Sequence, residues 1–261
     1  MYQDRAAVQT QYADAANLRA RSAIYRFGDP GATPWPRWVF DQLDLPAAAR
    51  VLEVGCGDGG LWKRNLDRLP PAWRAVMLDL SPGMLAAARL DLPAAQFAFA
   101  QGDVARLPLV DARFDAVVAN HMLYHVADRA AALREIRRAL APGGRLLATT
   151  NSEAHLAPMR DLINEFLGDL SPLRDAKPFT LENGASAIGA VFANVERRET
   201  RGALRVTDAE AVVAYVMSIT GAPQYVVGDR LDELRKRAEG EIEQNGAFVL
   251  PTAAGMFVAT P

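Results

Sequence analysis

Only one cysteine, Cys56, stands in the 261 residues, so no disulfide can close within the chain and a reducing cytoplasm is the expected setting. An excess of charge of either sign is also missing. The 29 basic and 31 acidic residues leave a formal net charge of −2, which gives no electrostatic footprint for nucleic acid or an anionic membrane surface. No uninterrupted apolar run approaches the roughly 20 residues of a membrane span. The opening stretch MYQDRAAVQTQYADAANLRAR is polar and holds no hydrophobic signal segment. Internal repeats and low-complexity tracts are absent as well. Apolar residues, by contrast, make up 50% of the chain. That is enough to bury a sizeable core, either in one large α/β domain or in a core with an added cap.

The segment Val51 to Gly60, VLEVGCGDGG, is an apolar strand running straight into a glycine-rich turn. Val51, Leu52 and Val54 suit a strand buried on both faces of a parallel sheet. Gly55, Gly57, Gly59 and Gly60 let the backbone turn sharply and approach a ligand without Cβ obstruction. A helix expected over 61–69 would then aim its N-terminal N–H groups at that ligand. Gly55, Gly57 and Gly60 also satisfy G-x-G-x-x-G, with Asp79 at the spacing of a ribose-binding acid, so a nicotinamide dinucleotide is one candidate cofactor. Three features favour S-adenosylmethionine instead. Glu53 lies within the strand, where a dinucleotide fold keeps an apolar residue, and a buried acid needs partners from loop N–H groups or a cationic ligand. A strand expected over 96–100 ends at Gln101-Gly102-Asp103, which puts a further acid at the sheet edge. Ala141-Pro142-Gly143-Gly144 separates an amphipathic helix from another strand.

Strands are expected at 51–54, 75–80, 96–100, 116–120 and 145–150, with helices at 61–69, 82–90 and 129–140. This alternation implies a parallel, doubly wound sheet with right-handed crossovers, whose ligands bind beyond the carboxyl ends of the strands. Leu133, Ile136 and Leu140 give the last helix its apolar stripe. Before these elements come a helical arm at about 6–27, a turn-rich link, and a short helix marked by Trp35, Trp38, Val39 and Leu43. After them, helices are expected at 154–167, 180–192, 208–218 and 229–244, and strands at 195–200 and 247–259. The pair of helices before the last strand, about 207–245, is expected to lie with the arm as a cap over the carboxyl edge of the sheet.

Five segments in order carry a resemblance: VLEVGCGDG (51–59), LDLSPGML (78–85), GDVARLPL (102–109), FDAVVANHMLYHV (114–126) and EIRRALAPGGRL (135–146). Across about 49–151 the chain resembles the class I S-adenosylmethionine-dependent methyltransferases of the small-molecule, type 11-like kind. The resemblance implies a Rossmann-like, doubly wound, mostly parallel seven-stranded α/β sheet with a helical cap. It divides the chain into an arm or lid (1–45), a cofactor-binding core (46–152) and a remainder (153–261) that completes the sheet.

The resemblance also assigns roles. Asp79 accepts hydrogen bonds from both ribose hydroxyls, Leu80 packs on the adenine or ribose, and Asp103 accepts from the adenine amino group beside the Val104 N–H. Gly55 and Gly57 pass the methionine moiety closely. Glu53 orients the loop or meets its ammonium, as does the Asn120 backbone carbonyl. Apart from the resemblance, the cofactor's carboxylate calls for arginine as its bidentate partner, and Arg21 on the arm is the candidate, with Tyr12 as a lid residue. The segment after the fourth strand faces the transferable methyl. There His125, His121 and Tyr124 are the candidate catalytic residues, a histidine being able to take a proton near neutral pH. His121 and His125 share a face if that segment is helical. Met122, where metalloproteases of the HExxH type carry glutamate, argues against zinc, and no metal is expected.

The acceptor is read as a small molecule, O- or N-methylated in preference to C-methylated, and partly apolar or aromatic in view of Tyr25, Phe27, Trp35, Trp38, Phe179 and Tyr215. The Ala- and Arg-rich composition, typical of a GC-rich bacterial genome, associates the chain with tailoring of secondary metabolites. The rivals are a methyltransferase-like protein that binds S-adenosylmethionine without transferring methyl and an NAD(P)-dependent oxidoreductase. A nucleic-acid methyltransferase is disfavoured because the N/D-P-P-Y/F motif does not follow the fourth strand.

Overall fold

The structure, a computed structural model, describes residues 16–171, 173, 179–219 and 221–261. Its centre is one sheet with strands β1 (Arg50–Val54), β2 (Arg74–Asp79), β3 (Phe97–Gln101), β4 (Phe114–Asn120), β5 (Leu140–Asn151), β6 (Asn194–Val206) and β7 (Phe248–Thr260). They lie in the order β3-β2-β1-β4-β5-β7-β6. β1 to β5 pair in parallel, while β7 runs antiparallel to both of its neighbours. The chain order reverses between β1 and β4, so the ligand crevice of such a sheet falls beyond the carboxyl ends of these two strands.

The helices are α1 (Ala16–Ala23), α2 (Trp35–Asp41), α3 (Gly60–Lys63), α4 (Pro82–Asp91), α5 (Arg129–Ala139), α6 (Ala157–Leu167), α7 (Gly184–Gly189), α8 (Ala209–Met217), α9 (Ala222–Tyr225) and α10 (Asp229–Asn245). Alternation along the strands splits the core between the two faces. Leu52, Val54 and Val117 pack with Leu133 and Ile136 of α5 on one face. Val51, Ala116 and Val118 pack with Trp62 and Leu85 on the other. Each such buried aliphatic side chain contributes about 1.5–3 kcal/mol. Helix starts follow local chemistry: Ser81 Oγ accepts the Met84 N–H (3.2 Å) ahead of Pro82, and Asp128 Oδ1 accepts the Ala131 N–H (2.8 Å).

Several expected elements differ. The helix expected over 61–69 is only α3 followed by a 3-10 turn, Leu66–Arg68. Buried Asn65 ends it by donating from Nδ2 to the carbonyls of Leu61 (2.7 Å) and Pro36 (3.0 Å). Four residues make no extended anion site, so the expectation of helix N–H groups aimed at a ligand is corrected. The helix expected over 180–192 shrinks to α7, and α9 was not anticipated. β3 lies one residue later than expected, which leaves Asp103 in the turn beyond it.

β6 is much longer than 195–200. Its residues Thr200–Val206 pair with Phe248–Ala254, past the point where Asn151 meets Ala254 and β5 stops. This β6–β7 extension overhangs the carboxyl edge, and a further apolar cluster forms on it. Leu204 and Leu250 pack there with Val212 and Val216 of α8, Leu234 of α10, Leu162 and Ile163 of α6, and Ile24 of the arm. Ile24 of the arm and Val212, Val216 and Leu234 of the helical pair thus share one apolar cluster at this edge. No helix among the described residues is long and apolar enough to cross a membrane.

Candidate cofactor and acceptor site

The turn after β1 needs glycine at three positions, because the backbone is left-handed at Gly55 (φ 63°), Gly57 (φ 55°) and Gly59 (φ 79°). Their surroundings differ. A Cβ on Gly55 would sit 2.7 Å from Met122 Cβ, so the segment after β4 closes tightly on this residue. A Cβ on Gly57 would meet only Leu18 Cδ2 of α1, at 3.8 Å, so room remains beside the loop with the arm above it.

Asp79 ends β2 and ties this loop to the sheet. Its Oδ2 accepts the Gly57 N–H (2.8 Å) and its Oδ1 accepts the Ser81 N–H (2.9 Å). Burial raises its pKa, against the lowering pull of these N–H groups. Each carboxylate oxygen has a second lone-pair direction available for a diol. Asp103 Oδ1 accepts the Ala105 N–H (2.9 Å), the bond of a turn aspartate. Val104 is buried, and Leu80 is half-buried just beyond Asp79.

Glu53 is 2% exposed and faces the side of the sheet that carries α3. Its side-chain partner is an indole: Trp62 Nε1 donates to Oε2 at 2.6 Å. Burial first, and then Asp79 and Asp58, push its pKa up to about 8 against the pull of the indole N–H. The sequence offered no hint of this pairing beyond a tryptophan nine positions on. Burial also pushes the Cys56 thiol up, in keeping with a small residue that has no chemistry of its own.

The segment after β4 forms a 3-10 turn, Leu123–His125, and His121 takes a left-handed backbone (φ 52°). His121 and His125 therefore do not share a helix face. The rings of His121, Tyr124 and His125 form a chain instead, with centroids 6.4 Å apart for the first pair and 4.5 Å for the second. Trp35 of α2 continues it, 5.0 Å from His121 and stacked at 5.0 Å on Trp38. Asn120, expected to matter only through its carbonyl, uses its side chain as well: Oδ1 accepts from Thr149 Oγ1 (2.7 Å) and from Trp35 Nε1 (3.4 Å). Thr149 Oγ1 in turn accepts the His121 N–H (2.9 Å). Burial, with His155 nearby, pushes the His121 pKa down to about 3.

The third histidine closes the group. His155 Nδ1 accepts the Ala253 N–H (3.1 Å), and its Nε2 lies 2.9 Å from Tyr25 Oη. Burial holds its pKa down at about 4. Sequence reasoning placed Tyr25 and Trp35 only among apolar wall residues, because their partners lie far away in the chain. Arg21 Nη1 donates to the Ser218 carbonyl (3.3 Å) at the end of α8, tying arm to cap. Tyr12 lies outside the described residues. Among these residues, no group of three or more histidine, cysteine or acidic side chains is arranged to hold a metal ion.

A glycine loop after β1, an acid ending β2 and bonded to that loop, and an aromatic wall after β4 now stand together. Residues 52–148 match the family described as "Methyltransferase domain". Residues 52–148 thus carry a methyltransferase domain. The chain is 35% identical, over 117 residues, to a ubiquinone/menaquinone biosynthesis C-methyltransferase of Hahella chejuensis, covering 43% of this chain and 47% of that protein. The chain thus spans about half the length of the curated relatives it matches. Among solved structures, phosphoethanolamine N-methyltransferase 2 of Haemonchus contortus, in complex with S-adenosyl-L-methionine, aligns with a TM-score of 0.61 at 18% identity, over 100% of this chain and 60% of that one. The [4+2]-cyclase SpnF aligns with a TM-score of 0.60 at 18% identity, over 97% and 96%. These structural likenesses speak for the fold alone.

Proposed function

We propose that the chain binds S-adenosylmethionine and transfers its methyl group to a hydroxyl or amine of a small-molecule acceptor. The carrying observation is Asp79, fixed at the end of β2 by its bonds to Gly57 and Ser81 beside a loop with room at Gly57. When bound, the cofactor supplies a methyl group on a sulfonium, already a good leaving group. Asp79 would accept from the ribose hydroxyls, and Asp103 with the Val104 N–H would receive the adenine, against Leu80. Gly55 and Gly57, the Asn120 carbonyl and Glu53 would border the methionine end. Arg21, one helical turn from Leu18 over the loop, is the candidate for its carboxylate.

The remaining contribution of the protein is alignment and exclusion of water, worth roughly 7–11 kcal/mol in favourable cases. The arm (1–45) and the cap (about 207–245) would supply that exclusion over the 46–152 core. His121 stays neutral at physiological pH, so a ring nitrogen can accept a hydrogen bond from an acceptor hydroxyl or amine. This supports oxygen or nitrogen over carbon as the methylated atom. His125 and Tyr124 extend the same wall. Proton removal by His125 would add about 10²–10⁴-fold for a weakly acidic acceptor, whereas His121, held down at about 3, is too weak a base near neutral pH for that role.

Thermal melting tests the cofactor first: S-adenosylmethionine and S-adenosylhomocysteine are expected to raise Tm, and NAD is not. Asp79→Ala should abolish that shift, whereas His125→Ala should slow turnover with S-adenosylhomocysteine affinity intact. Unchanged cofactor affinity in Asp79→Ala would overturn the reading.

A further inference from the structure

The three walls of the acceptor side meet at Tyr25. It lies in the 3-10 turn that ends the arm, Ile24–Phe27. Its ring stacks against His155 beyond β5, with centroids 6.3 Å apart and planes at 26°. Tyr215 of α8 is close enough to resist ionisation of its phenol, as does burial, although 46% of the residue is exposed. Tyr25 is thus partly open to solvent beside His155, on the side of the arm that faces α8.

The direction of the Tyr25–His155 bond is set from the far side of the imidazole. A backbone N–H can only donate, so the Ala253 N–H fixes His155 Nδ1 as an acceptor. A neutral imidazole with that lone pair engaged carries its proton on Nε2. Nε2–H therefore donates to Tyr25 Oη at 2.9 Å, and the hydroxyl proton of Tyr25 is turned away from the imidazole. Ala253 belongs to β7 where it overhangs the end of β5, so the sheet sets the orientation of a side chain on the arm.

Resting on the methyl-transfer reading, we propose that Tyr25 is a substrate-contacting hydrogen-bond donor, and His155 the positioning residue behind it. Together they select aromatic acceptors that carry a hydrogen-bond-accepting oxygen, such as a carbonyl, besides the group to be methylated. The aromatic part of this class follows from the Trp35, His121 and Tyr124 wall, a series of ring faces against which a planar molecule can stack. The oxygen follows from the one-way donor chain Ala253 N–H, His155, Tyr25, which ends on a proton rather than a lone pair.

The probes are 3-hydroxyacetophenone and 3-isopropenylphenol, matched in size and differing in that a methylene replaces the carbonyl oxygen. Their binding to the protein saturated with S-adenosylhomocysteine is read by ligand-observed NMR titration. Wild type is expected to prefer the ketone by several-fold, up to about tenfold, the range of one neutral hydrogen bond. Tyr25→Phe and His155→Phe should lose the preference. His155→Gln should keep it, because the amide presents an acceptor to Ala253 and a donor to Tyr25. Equal affinities in wild type, a preference that survives Tyr25→Phe, or no binding of either probe would overturn the proposal. Failure of S-adenosylhomocysteine itself to bind would instead overturn the methyl-transfer reading, so the two failures are distinguishable.

Discussion

Glu53→Gln replaces the most deeply buried acid near the cofactor loop with a neutral isostere, and its effect is expected to depend strongly on pH. Burial raises the carboxyl from an ordinary 4.5 to about 8. A carboxyl raised in this way stabilises least when the unfolded chain ionises and the folded one does not. Its contribution is intact below pH 4.5 and is lost as pH rises toward 8. At about 1.4 kcal/mol per unit, the penalty grows from about 1 kcal/mol at pH 5 to about 5 kcal/mol at pH 9. Glutamine does not titrate, and its carbonyl can still accept from Trp62 Nε1. Any cost of burying its NH₂ is about 1–3 kcal/mol and independent of pH. The stability of Glu53→Gln relative to wild type should therefore improve by about 4 kcal/mol from pH 5 to pH 9. Urea unfolding of both proteins across that range measures the difference directly. A difference that stays flat with pH would mean that Glu53 ionises normally in the folded state, and the burial argument would fail.

Three further outcomes are expected. Gly55→Ala forces a non-glycine residue into a left-handed backbone, about 1–2 kcal/mol, and drives its Cβ to 2.7 Å from Met122 Cβ; thermal melting should show destabilisation and calorimetry a loss of cofactor binding, and normal binding would refute the tight-closure account. His121 and His155, held at about 3 and about 4, stabilise fully above pH 6.5 and progressively less as pH falls, by about 2 kcal/mol each at pH 5. His155→Gln should flatten the acid limb of the stability curve by roughly that amount, and an unchanged slope would refute it. Trp62→Phe removes the indole N–H that Glu53 accepts and should cost about 1–3 kcal/mol in urea unfolding, whereas a neutral result would show that the carboxyl finds another donor.

The parallel strands and the glycine turn were legible in the sequence because they are local. A continuous apolar run, a turn that tolerates only glycine, and a serine ahead of Pro82 act within a few residues of one another. The same holds for Asp79, which falls at a strand end wherever β2 is drawn. The helix over 61–69 was misread because a single buried amide, Asn65, captures the Leu61 and Pro36 carbonyls, and no periodicity reveals what a side chain meets in space. β6 was read as ending at 200, and its continuation through Arg201–Val206, interrupted by Gly202, emerges only when β7 pairs with it along Phe248–Ala253.

The contacts among the aromatic residues after β4 and in the arm lay beyond reach for a further reason. Trp35 meets Asn120 across 85 positions, and Tyr25 meets His155 across 130. By itself, the sequence determined the alternation of strands and helices in the core and put the glycine turn and Asp79 at the carboxyl edge of the sheet. Tertiary structure alone decided which way the His155 imidazole points, that Glu53 pairs with an indole, and that Tyr25 meets His155. Contacts of that kind depend on where distant segments come to rest, and propensity and periodicity carry no information about that.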